Sequence, residues 1–141
     1  MPNRNPTFQP PHMIPTVLEI TIGTLDAAIE QLGNMEKAKE RPWVLDDDII
    51  ARSLKLYKEQ NEDSEFFLKQ CIMWKKGYLT ELQLKQVLEI ESSTHSLKDI
   101  NDRLVSIFEY CKSRTIDKIM EKDDMELALE VLTGKMPFPK I

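Results

Sequence analysis

The stretch 46-DDDIIARSLKLYKEQNEDSEFFLKQCIMWKK-76 decides how this chain folds. It contains neither Gly nor Pro, opens on three aspartates, and returns an apolar residue every three or four positions at Ile50, Leu54 and Tyr57, before a second apolar segment of Phe66, Phe67, Leu68, Cys71, Ile72 and Trp74. That period puts the apolar residues on one side of a helix. Asp46-Asp47-Asp48 supply a capping side chain and negative charge where the helix dipole is positive. Midway, Asn61-Glu62-Asp63-Ser64 replaces the stripe with residues that favour helix caps, so the pattern predicts two helices, with one long kinked helix as the competitor.

On the C-terminal side, Gly77 follows Lys75 and Lys76 as a helix stop, and Thr80 with Gln83 forms a capping box before Leu84, Val87 and Leu88, which are expected on a buried face. Ser92-Ser93-Thr94-His95 reads as a loop. Ser96 with Asp99 then opens the stripe Leu97, Ile100, Leu104, Ile107, Phe108 and Cys111, which either continues through Ile116 and Ile119 or restarts at Thr115. A last helix is expected from Asp123 to the stop at Gly134.

On the N-terminal side, Leu18, Ile22, Leu25, Ile29 and Leu32 mark a helix from about Thr16 that Arg41-Pro42 ends. Gly23 and Gly33 each weaken it by roughly 1 kcal/mol relative to Ala. Residues 1–15 carry five of the eight prolines and read as an extended or disordered arm, which Phe8 and Met13 could pin to the body; 135–141 reads as an extended tail. Between Pro42 and Pro137 there is no proline, and glycine stands only at 77 and 134, both at expected helix ends. The expectation is an all-α fold: a bundle of five or six mostly antiparallel helices over one domain, residues 16–134, with extended Pro-rich termini.

The formal charge is −5 over 141 residues, and no quarter of the chain is net positive, which disfavours a general polyanion binder. The N-terminus lacks the apolar core of a secretory signal and no apolar run is long enough to span a bilayer, so a soluble, cytoplasmic protein is expected. Cys71 and Cys111 lie on apolar faces, with no spacing that suggests zinc or a disulfide, and neither His12 nor His95 is placed beside them. The four scattered glycines make no phosphate loop. The acidic clusters Asp46-Asp47-Asp48, Glu62-Asp63-Glu65 and Asp123-Asp124-Glu126 are expected at helix starts, where capping explains them without a metal.

These absences lead to a non-catalytic interaction or regulatory domain, without cofactor, metal or catalytic residues, which binds a protein partner or itself. Phe66-Phe67-Leu68 points in three directions about 100° apart, more than one narrow face can cover. The candidate interaction surface is therefore Phe66, Phe67 and Trp74, with Met136, Phe138 and Ile141 of the tail. A homodimer burying part of Phe66 to Trp74 would fit. Two alternatives stand beside it: a metal-binding or enzymatic bundle built on helix-borne carboxylates, and a helix-turn-helix-like DNA binder over Thr80 to Cys111.

Overall fold

The computed structural model describes residues 8–132, and for Asp123, Leu127, Ala128, Glu130, Val131 and Leu132 it describes the backbone only. Among the described residues there is no strand. Three long helices, α1 (Ile14–Ala38), α2 (Asp47–Lys75) and α3 (Glu81–Cys111), are followed by α4 (Ile116–Leu132), with short 3-10 turns at Pro11–Met13 and Pro42–Val44. The all-α expectation holds, but five or six helices are replaced by fewer and longer ones.

The capping chemistry acts where it was expected at both outer boundaries. Asp46 accepts the Ile49 N–H at 2.8 Å and starts α2. Thr80 and Gln83 complete a reciprocal capping box at the start of α3, with bonds of 3.1 and 2.9 Å. The two interior boundaries vanish. Asn61–Ser64 and Ser92–His95 are both helical, so α2 and α3 each run unbroken through the residues that suggested a break. α1 begins at Ile14 with Pro15 in its first turn, where a missing N–H costs nothing, and continues through both glycines. α4 begins at Ile116 rather than Asp123, which leaves Asp123 inside a helix.

The reason lies in a longer repeat. Along α3 the buried positions Val87, Ile90, Thr94, Leu97, Asn101, Leu104, Phe108 and Cys111 alternate steps of three and four without a slip. On α2, Ile50, Leu54, Tyr57, Asn61, Ser64, Leu68 and Cys71 do the same, all buried or half-buried. This is the spacing of a helix that faces its neighbours along its whole length. On α1 the buried stripe is Ile14, Val17, Thr21, Ala28, Leu32 and Met35, which leaves Ile29 half-exposed; Leu84 and Leu88 of α3 are likewise exposed rather than buried.

α3 is the central helix, with α1 and α2 each packed along it. α2 runs antiparallel to α3, since Lys75 pairs with Glu91 at one end and Lys58 with Glu109 at the other. α1 runs parallel to α3: Ile14 and Val17 cluster with Val87 and Ile90, and Glu36 meets Arg103 at 2.9 Å. The core divides in two. A larger cluster gathers Leu32, Ile50, Leu54, Leu104 and Phe108, with the rings of Tyr57 and Phe108 stacked at 5.9 Å. A smaller one holds Ile14, Val17, Cys71, Trp74, Val87 and Ile90.

The smaller cluster is closed by the segment before α1. Trp74 Nε1 donates to the Gln9 carbonyl at 2.8 Å, the buried Gln70 amide bonds both the N–H and the carbonyl of Gln9, and Phe8 stacks on Phe66 at 5.4 Å. At the other end, a pair of carboxylates clasps α4 to the start of α2. Asp117 accepts the Asp47 N–H at 2.8 Å, and Asp47 accepts from the Thr115 hydroxyl at 2.6 Å and Lys118 Nζ at 3.0 Å. Among the described residues, α4 meets the body chiefly at the Pro42–Val44 turn.

Candidate functional site

Between the two apolar clusters the stripes of all three long helices turn polar. Thr21 of α1, Ser64 of α2 and Thr94 of α3 are 3%, 1% and 0% exposed, and Asn101 lies two steps further along α3, past Leu97 of the larger cluster, fully buried. Thr21 donates its hydroxyl to the Val17 carbonyl, and Asn101 Nδ2 donates to Gln60 Oε1 at 3.1 Å. Four oxygens have no hydrogen-bond partner among the described residues: Asn61 Oδ1, Ser64 Oγ, Thr94 Oγ1 and Asn101 Oδ1. Each such buried group costs about 1–3 kcal/mol if left unbonded. An apolar layer would be more stable, so this one calls for an explanation.

At this level a groove runs between α1 and α2. Its α1 wall is Ile20, Gly23, Thr24 and Ala27, spaced three, one and three apart so that they form a single strip of mostly small side chains. Its deep end is a cavity of about 230 Å³ lined by Thr21, Thr24, Gln60, Asp63, Ser64 and Phe67, with Leu97 of α3 below. Its shallow end, about 450 Å³, lies against Gly23, Ala27, Leu56 and Tyr57. Ile20 and Leu56 stand half-exposed at the rim.

The residues singled out in the sequence are distributed differently. Trp74 is buried, and its indole N–H is bonded to Gln9; Phe66 and Phe67 are half-buried, one under Phe8 and the other on the smaller cluster. Phe67 alone reaches the groove. Met136, Phe138 and Ile141 lie outside the described residues. Exposed apolar side chains stand on every helix; on α4, Met125 and Leu129 lie one turn apart and are 68% and 61% exposed.

The reactive side chains are occupied structurally. Cys71 and Cys111 are free thiols, each buried in a different cluster. Burial, with Glu91 adding to it, pushes the Cys71 thiol up to about 11, and burial also raises Cys111, so both stay protonated at neutral pH. Burial raises the Tyr57 phenol too. His95 is an exposed residue of α3 rather than part of a loop.

Of the acidic clusters, only Asp46-Asp47-Asp48 stands at a helix start. Glu62-Asp63-Glu65 lies mid-helix, where Glu65 pairs with Lys98, and Asp123-Asp124-Glu126 lies within α4, where Glu126 faces Lys122 at 3.7 Å. The hydrogen bond from Thr115 and that from Lys118 hold the Asp47 carboxyl below its usual range, while the bond to Asp47 raises Lys118. Among the described residues no group of three or more His, Cys, Asp or Glu side chains is placed to hold a metal ion. No helix there is long and apolar enough to cross a membrane. Glu81–Cys111 is one helix and lacks the turn that a helix-turn-helix requires.

No family model, curated protein or solved structure matches the chain. Of the groove residues, Ser64 stands in the sequence as part of an expected helix cap, and Thr21, Thr24 and Gln60 belong to no motif. Their signal was present as polar residues falling in step with an apolar repeat, at Thr21, Asn61, Ser64, Thr94 and Asn101.

Proposed function

We propose that the chain is a non-catalytic helical interaction domain that engages a protein partner through α4. The observation that carries this reading is the exposure of Met125 and Leu129, one turn apart on a helix whose described hydrogen bonds to the body come from its first turn and the residue before it. Isolated helices of this length are marginal in water, and an unpartnered apolar face is what a partner's groove or helix would cover. Met125 suits such a surface because its unbranched side chain adapts to the shape it meets. A second copy of the chain could be that partner, and two buried, free cysteines fit a cytoplasmic setting.

The test compares the intact chain with a Met125→Lys, Leu129→Lys variant in affinity capture and in sedimentation velocity across a hundredfold concentration range. The reading expects a partner, or a concentration-dependent dimer, that the double variant loses while its helical circular dichroism is kept. If the captured proteins and the sedimentation coefficient are the same for both chains, α4 is not the interaction surface.

A further inference from the structure

We propose that the cleft where α2 and α4 begin beside the end of α3 binds a small anion with clustered phosphate groups, seated between Lys55 and Lys112 over Ala51. This goes beyond the α4 reading, with whose surface it shares only Lys118. The cleft holds about 370 Å³, and Lys55, Lys58, Lys112 and Lys118 stand around it, with Asp47 as the one acid among the described lining residues. All four lysines are exposed, so a solute can reach their ammonium groups.

The first observation is how much of this charge is already matched. Lys118 Nζ meets Asp47 at 3.0 Å, and Glu121 and Asp117 also act on it. Lys58 faces Glu109 at 3.6 Å. Lys55 and Lys112 have no ion-pair partner among the described residues. Nor does Asp47 leave an unmatched carboxylate to repel a ligand, since one oxygen accepts from the Thr115 hydroxyl and the other from Lys118. Each acid stands against a lysine of its own, and two ammonium groups are left over.

The second observation is that helix-end chemistry explains only one of those two. Lys112 caps the end of α3, where the helix dipole favours positive charge. Lys55 lies inside α2 with no acid against it. In a chain of net charge −5, cations gathered from α2, α4 and the end of α3 repel one another, and an anion held between them removes that repulsion.

The third observation is the floor. Ala51 is exposed between Asp47 and Lys55, one turn from each, while Ile50 and Leu54 beneath are buried, so no side chain of α2 fills the space above it. Lysine meets oxygen as a point charge with three donors, which suits the tetrahedral array of a phosphate. A planar carboxylate is matched best by the arginine fork, and no arginine is among the described lining residues. Two unmatched cations side by side call for two or more negative charges close together, which a diphosphate carries.

The experiment titrates the full chain at low ionic strength with pyrophosphate, orthophosphate and citrate, followed by calorimetry and by amide chemical shifts. A parallel arm sediments the chain with phosphatidylcholine vesicles that carry phosphatidylinositol bisphosphate. The proposal expects saturable one-site binding of pyrophosphate, with shifts confined to residues 47–58 and 109–118, and affinity for orthophosphate and citrate lower by at least about tenfold. Binding of pyrophosphate assigns the site to a soluble compound, and binding in the vesicle arm alone assigns it to a lipid headgroup. Ala51→Glu, a good helix former that sets a carboxylate over the floor, should lower the affinity by at least about tenfold with helical circular dichroism unchanged. The pair Lys55→Gln, Lys112→Gln should do the same, whereas Lys76→Gln, Lys85→Gln, an equal change of charge at exposed positions elsewhere, should not. Binding in neither arm, citrate bound as tightly as pyrophosphate, full affinity in Ala51→Glu, or equal losses in the two lysine pairs would each overturn the proposal.

Discussion

The two apolar clusters are built from the same three helices and stabilised in different ways. The larger is built almost wholly from helix stripes: Phe108, Leu104 and Ile50 are at most 2% exposed, and Leu45 of the connection before α2 packs on the cluster from outside the helices. The smaller depends on a segment that is not part of the three helices. Trp74 and Gln70, both buried, complete their hydrogen bonding on the backbone of Gln9, and Phe66 is covered by Phe8. Periodic apolar residues suffice for the first cluster, whereas the second needs a particular backbone carbonyl at a particular place.

The largest effect that would test this contrast is Phe108→Ala. Truncating a fully buried aromatic in the larger cluster should cost about 3–5 kcal/mol, read as a lower urea midpoint with an unchanged slope. A loss below about 2 kcal/mol would mean that the larger cluster is not the main source of stability. Trp74→Phe should cost less, about 1–2 kcal/mol, since the ring stays and the donor to Gln9 is lost. Its distinguishing sign is faster amide exchange over residues 9–13 than over α3. Uniform acceleration in all helices would show that the N-terminal segment is not held by this bond.

Gly33→Ala should raise stability by about 0.5–1 kcal/mol, because the position is helical and a Cβ there meets nothing within 4 Å. Gly23→Ala should do the same, and a loss at either site would mean that α1 is not helical there.

The smallest effect concerns the clasp. The folded state holds the Asp47 carboxyl below its usual range through Thr115 and Lys118, so its contribution is fully present above the ordinary carboxylate range and disappears as pH falls through and below it. Amide exchange at the start of α4 should therefore accelerate in acid before that of α3. Asp47→Asn should remove this pH dependence. Equal sensitivity of α3 and α4 would place the acid response elsewhere.

Much of the fold was legible because it rests on local chemistry. Asp46 and Thr80 cap helices as their side chains dictate, and the apolar stripes around Leu104 and Phe108 belong to the core. The candidate groove was not legible. Asn61, Ser64 and Thr94 carry the same side chains that cap helices, and a short window takes them for breaks. Reading the three-four repeat across whole helices would have kept both helices intact, yet would not have revealed the groove, since it requires α1 and α2 to be brought together over α3. A cleft that carries Lys55, Lys58, Lys112 and Lys118 with Asp47 around Ile50 and Leu54 is similar: the lysines come from stretches far apart in the sequence and meet because α2 and α4 begin where α3 ends.

By itself, then, the sequence determined the helical class, the outer caps and the apolar faces, because capping and periodicity act within a few residues of one another. Only the tertiary structure decided whether a polar residue in the stripe ends a helix or enters its core. That choice depends on the burial supplied by helices far away in the chain, as Ser64 and Thr94 show by lying buried in mid-helix.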